Sequence, residues 1–292
     1  MILICSHFSI IERIKELIGN LRYLESTDSG STIEIQAIEF TTPLTITPVA
    51  SVINKKELTY NYNGENASYL QIIRFPEGID KLDGLSLQGT YIPIIHLHLK
   101  NLDRNTLSTQ LNMLHSKFLE LLRLKVIADE SFIELITNNT FGFLLGEIMD
   151  NIEEHSDAEN IYLFAQYWPK NNSCEVCILD DGVGLLGSLK KAGRDVSDSA
   201  DALKKILEKG LSSKTEYGDI MRGMGIKYTR AAITNKEING EFFIMSGSAA
   251  FLHSAKSGEN FINFKEYFWP GTLVMLRLNK PLATFNLYNY VK

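Results

Sequence analysis

Glu147 and Asn151 stand four residues apart in a segment whose apolar residues, Phe141, Leu144, Leu145, Ile148, Met149 and Ile152, recur with a helical period. A helix there puts a carboxylate and a carboxamide on one face, one turn apart. Such a pair can hold a water together with a hard cation, and Mg²⁺ takes oxygen ligands while keeping several waters. Glu154 and His155 follow on the next turn. A solvated polar face of an amphipathic helix is the plainer account of this segment taken alone. A second group is Asp180, Gly182 and Gly184, at the end of an apolar run beginning at Ser173. Glycines let a flat ligand approach the backbone, and a carboxylate at a strand end can accept from an exocyclic amine. Asp and Gly are also the commonest turn residues. Gly223 and Gly225 precede a helical pattern, where free N–H groups at a helix start can cradle phosphate. Gly271 and Thr272 open a late strand.

Those residues need elements to position them. Phe8 to Leu24 has helical spacing, Thr32 to Phe40 alternates like a strand, and Pro48 suits the first turn of a helix running to about Lys55. Tyr69 to Phe75 and Ile92 to Leu99 are further apolar strand candidates. Residues 101–124 are helical in pattern. After Glu130 the chain reads helix, strand, glycine-rich turn, helix, glycine-rich turn, helix and paired strands. A helix from about Ser199 to Glu208 is closed by Gly210. The expected organisation is an α/β domain over 1–100, a connecting helix over 101–125, and a larger α+β domain over 126–292.

The 292 residues are 45% hydrophobic and 22% charged, enough to bury a core without staples. The formal charge of −6 argues against nucleic acid as a partner. Three cysteines, Cys5, Cys174 and Cys177, make no disulfide framework and suit a reducing compartment. No stretch approaches the apolar length of a membrane span, and the first residues do not read as a signal peptide. The expected location is cytoplasmic, with no membrane partner.

Taken in order, the four segments resemble those of the GHKL (histidine-kinase-like) ATPase superfamily, over about Glu130 to Pro281. Its N box is Glu-x-x-x-Asn, here Glu147 and Asn151. Its glycine boxes are Asp-x-Gly-x-Gly, here Asp180, Gly182 and Gly184, and Gly-x-Gly, here Gly223 and Gly225. Its late Gly-Thr strand matches Gly271 and Thr272. The resemblance implies a Bergerat-type α+β sandwich that binds ATP and Mg²⁺. Asn151 would hold the metal and Glu147 would act as base. Asp180, helped by Thr272, would take the adenine amine, and Gly182 and Gly184 would make room for the base. Gly223, Gly225 and Lys214 or Arg222 would meet the phosphates. A lid would run from about Leu185 to Arg222. The implied activity is that of a regulatory protein acting on a protein partner, as a slow ATPase or an anti-sigma-type serine/threonine kinase. A non-hydrolysing, nucleotide-gated interaction module is the alternative, and a homodimer is left open. His115 lacks the acidic neighbour and proline of a histidine-kinase phosphoacceptor, so it is not read as one.

More faintly, Ile33 to Ala50 resembles the strand, loop and helix of STAS-like domains, whose phosphoacceptor hydroxyl sits at that loop. Thr41, Thr42, Thr45 and Thr47 stand there. Cys174 and Cys177 are three apart on a strand, hence on opposite faces and unable to chelate one ion. His96 and His98 share a strand face and are read as structural.

Overall fold

The computed structural model describes residues 1–4, 9–39, 41–82, 85, 89–121, 158–211, 225–236 and 238–279. The chain begins β1 (Ile2–Ile4), α1 (Ile10–Ser26), β2 (Thr32–Ala37), α2 (Pro43–Lys55) and β3 (Thr59–Asn63). The three strands form a parallel sheet in the order β1-β2-β3. A short helix α3 (Ala67–Ile72) leads to β4 (Tyr91–His98) and α4 (Arg104–Leu121). Then come the hairpin strands β5 (Asn160–Trp168) and β6 (Ser173–Asp180), and the helices α5 (Gly184–Lys191), α6 (Ser199–Lys209) and α7 (Gly225–Thr234). Four strands complete the described chain: β7 (Glu241–Gly247), β8 (Ala249–Ser254), β9 (Gly258–Asn263) and β10 (Trp269–Asn279). Strands β4 to β10 form one seven-stranded antiparallel sheet, ordered β4-β5-β6-β10-β7-β8-β9. The architecture is mixed α/β, with helices on a large antiparallel sheet.

Strand pleating decides what each face of the large sheet meets. On one face Cys174, Val176 and Ile178 of β6, Phe242 and Ile244 of β7, and Val274 and Leu276 of β10 pack with Leu114 of α4, Leu185 of α5, Leu203 of α6 and Ile233 of α7. On the other face Cys177 and Leu179, Phe243 and Met245, and Leu273 and Met275 share a core with Leu17 of α1, Val49 of α2 and Ile33 of β2. The two cysteines therefore lie in different cores, as strand alternation requires. The large sheet is thus covered twice, which explains why β6 is buried at all eight positions instead of alternating.

Several elements differ from their sequence reading, each for a physical reason. Helix α2 starts at Pro43, so Pro48 lies in its second turn and not its first, because Thr42 initiates it: its N–H donates to Thr45 Oγ1 at 3.2 Å. The strand expected over Tyr69 to Phe75 is largely helix α3. Leu70 and Ile73 are both buried at helical spacing, and a short apolar run does not distinguish the two periods. Strand β4, placed by sequence within the first hundred residues' unit, pairs with β5 as an edge of the large sheet. Among the described residues no helix is long and apolar enough to cross a membrane.

The two layers are joined by charge as well as oil. Arg13 of α1 is fully buried and donates to the carboxylates of Glu175 on β6 and Glu241 on β7. Glu175 also accepts from the Leu44 N–H of α2 at 3.0 Å, and Arg277 of β10 stands 3.7 Å away. Burial alone would lower the Arg13 pKa, but the two glutamates raise it above its ordinary value, so the guanidinium stays charged.

Candidate functional site

Strands β6, β10 and β7 are neighbours in the sheet, and their ends bring three polar side chains together. Thr272 pairs with Ser246, and Leu273 pairs with Leu179, so Thr272 lies level with Asp180. By strand parity Asp180, Thr272 and Ser246 all belong to the face covered by α4 to α7. The pairing of β10 with β7 shifts register between Trp269 and Thr272. Such irregularities redirect backbone groups beside functional sites. Here the Thr272 N–H donates to Asp180 Oδ2 at 3.2 Å and the Gly182 N–H donates to Oδ1 at 2.9 Å. Each carboxylate oxygen keeps capacity to accept a further donor. Asp180 is only 5% exposed. Burial pushes its carboxyl up to about 7, the two backbone donors oppose that, and neighbouring Asp181 adds to it.

The glycines here serve the chain's own close approach before any ligand's. Gly184 has φ of 66°, a left-handed conformation that suits glycine. A Cβ on it would stand 2.6 Å from Ser246 Oγ and 2.9 Å from the Gly271 carbonyl oxygen. A Cβ on Gly271 would stand 2.1 Å from the Asp180 carbonyl oxygen. The room expected for a base at Gly184 is therefore occupied by the site's own wall, and Gly182 acts as a donor.

Ser246 is the residue that sequence reasoning missed. Its hydroxyl donates to the Gly271 carbonyl and accepts from the Leu185 N–H, both at 2.9 Å, and so ties β7, β10 and the first turn of α5 together. Alternation along Phe242 to Ser246 gives its face, but only the register of β10 shows what it meets. Ser246→Ala strands the buried Leu185 N–H, so the expected loss is about 1–3 kcal/mol of stability in urea unfolding. An unchanged midpoint would show that neither bond contributes.

The neighbouring acid has another task. Asp181 Oδ1 accepts from the N–H groups of Glu159 and Asn160, and Oδ2 accepts from Asn160 Nδ2 at 2.7 Å. It fastens the start of β5 to the end of β6, which leaves Asp180 as the carboxylate of the site. Asn160 Oδ1 in turn lies 2.9 Å from His96 Nε2 and 3.0 Å from His98 Nδ1. His96 is stacked on Tyr162, and burial lowers its pKa. Among the described residues no cluster of His, Cys, Asp and Glu has the makings of a metal site.

Part of the expected lid is core. Leu185 and Leu189 of α5 and Leu203, Ile206 and Leu207 of α6 are buried against the sheet. Helix α6 ends at Gly210, in a left-handed conformation with φ of 64°. Helices α5 and α6 thus contribute apolar side chains to the core of the fold. Gly225 is the first residue of α7. The remaining expected site residues, Glu147, Asn151, His155, Lys214, Arg222 and Gly223, lie outside the described residues, and Asn151 carries the expectation for Mg²⁺. The four threonines expected at a STAS-like loop are all buried, and two of them, Thr45 and Thr47, lie in α2. Thr41 Oγ1 lies 3.1 Å from Thr45 Oγ1, and Thr47 donates to the Pro43 carbonyl at 2.8 Å, so in this state none offers its hydroxyl to a kinase. No protein-family model matches the chain, and comparison with curated proteins gives no match either.

Proposed function

We propose that this protein binds ATP·Mg²⁺ in a GHKL-type site at the ends of β6, β10 and β7, on the face covered by α4 to α7, and acts as an ATP-dependent regulator of a protein partner. The observation that carries the reading is Asp180: a buried carboxylate, gripped by one backbone donor on each oxygen, with acceptor capacity left over for an amine. A group so placed has the capacity to accept from a neutral donor such as the adenine amine. Supporting it are the register shift just before Thr272, whose N–H donates to Asp180, and the order of the four motifs along the chain. The Bergerat-type fold is part of the proposal. Mg²⁺, when bound, would neutralise charge on the phosphates. Asn151 is the residue assigned to it, and Glu147 is assigned to orient or deprotonate the attacking water or hydroxyl.

Incubation with γ-labelled ATP and candidate partner proteins distinguishes the outcomes. Label in inorganic phosphate makes the protein an ATPase, and label in a second protein makes it a kinase. Saturable binding with neither makes it a nucleotide-gated module, and no binding at millimolar ATP removes the reading. Glu147→Ala is expected to keep ATP affinity within several-fold and to lower any turnover about a hundredfold. Equal turnover would take Glu147 out of the chemistry.

A further inference from the structure

Helix α1 and strand β9 enclose an open trough of about 360 Å³, lined by Ile11, Ile14, Lys15, Ile18, Gly19 and Arg22 of the helix and by Ile262 and Phe264 from β9 and its end. The helix residues recur at three- and four-residue steps, so they form one stripe along α1. Ile11 at its head is 44% exposed. Gly19 lies in the middle of the stripe and of the helix, where glycine costs about 1 kcal/mol relative to alanine. Among the described residues nothing requires it, since a Cβ there would meet no atom within 4 Å. The missing side chain leaves a dent in the floor of the trough.

The charged residues of the trough are both cations. Lys15 has no ion pair among the described residues, and Arg22 is held by Glu266 at 3.4 Å in a pair that is 46% and 76% exposed, readily exchanged for another acid. They are seven residues apart on one helix face, hence about 10 Å apart along the axis. A single anionic headgroup engages one of them. Two carboxylates at i and i+7 of a helix laid along the trough engage both. A second copy of α1 in a two-fold interface would set Lys15 and Arg22 against the same cations, which disfavours that occupant.

We infer that this trough docks an amphipathic helix of a partner protein, its apolar stripe against Ile11, Ile18, Ile262 and Phe264, its backbone close over Gly19, and its acidic residues two turns apart on Lys15 and Arg22. The inference does not depend on the nucleotide reading.

The test uses two fluorescent synthetic helical peptides of about four turns, alike in a leucine stripe and differing only in Glu or Lys at i and i+7. Fluorescence anisotropy on the full chain is expected to give saturable binding of the Glu peptide, at least about tenfold tighter than the Lys peptide, weakening with salt. Lys15→Glu with Arg22→Glu is expected to reverse that preference. Gly19→Leu fills the dent from the solvent side, so it is expected to weaken binding about tenfold or more while the melting temperature holds or rises. Four results overturn the proposal: no binding of the Glu peptide, equal affinity for both peptides, indifference to Gly19→Leu, or displacement of the Glu peptide by decanoate alone. Dimers in sedimentation that Gly19→Leu dissociates would assign the trough to a second copy instead.

Discussion

Replacing Arg13 by alanine is expected to destabilise the protein by about 3–5 kcal/mol, the effect of leaving a buried charge without its partner. Glu175 has no exposed side-chain surface, and Arg13 is its closest counter-charge. Arg277 at 3.7 Å compensates in part, and Glu241, 18% exposed, is free to rehydrate. The penalty therefore falls on Glu175, which also serves the Leu44 N–H. The measurement is urea unfolding, with a lower midpoint and an unchanged slope. A paired variant, Arg13→Met with Glu175→Gln, is expected to lose less than Arg13→Ala alone, because the glutamine keeps an acceptor for Leu44 and no charge remains buried alone. The opposite ranking would show that the packing of the arginine stem, not its charge, holds α1 to the sheet.

Asp180→Asn is expected to weaken ATP binding roughly ten- to a hundredfold at pH 8, the worth of a hydrogen bond to a charged acceptor, and to narrow the preference for ATP over GTP. On the ATP reading the carboxylate accepts the adenine amine, whereas guanine presents an acceptor at that edge. The pH dependence follows from the pKa of about 7 in the folded chain against the ordinary 3.8. Between those values the folded state holds the proton more tightly. Asp180's contribution to stability is thus fully present below about pH 4 and is lost as pH rises through about 7, a swing on the order of 4 kcal/mol. The asparagine variant lacks that swing. ATP affinity moves the other way: ionisation of Asp180 between pH 6 and 8 is expected to strengthen binding in the parent relative to the variant. The titration of the ATP phosphates cancels in that ratio. Titrating both nucleotides into both proteins at pH 6 and pH 8 decides it, and a ratio that stays flat with pH would mean that Asp180 does not meet the base.

Local chemistry was legible in the sequence, and long-range geometry was not. The Asp180 turn stood out because glycine and aspartate have few uses in such density, and α6 because its stripe ends in Gly210. The opposed faces of Cys174 and Cys177 needed only strand alternation. Ser246 carried no local signal, since one serine ending an apolar strand is common; its role exists only once β10 has brought Gly271 beside it. Arg13 carries no local signal either, as one basic residue in an amphipathic helix. Its partners lie 162 and 228 residues away, and no periodicity encodes a contact at that separation. Helix α3 was misread because six residues hold too few turns to separate a period of two from one of 3.6.

The double cover of the large sheet sets an order of events during synthesis. Helices α1 and α2 leave the ribosome early, with β1, β2 and β3 able to shield one side of them. Their other side awaits β5, β6, β7 and β10, and the last of these begins at Trp269. At ordinary elongation rates the interval from β4 to the end of β10 is roughly 10–40 s. Until β6 is made, Leu44 and the guanidinium of Arg13 lack Glu175, and until β10 joins, the core that Leu44 shares with Val49 stays incomplete. The nascent chain is therefore a natural client for a holding chaperone, and pausing translation before β10 is expected to expose it longest.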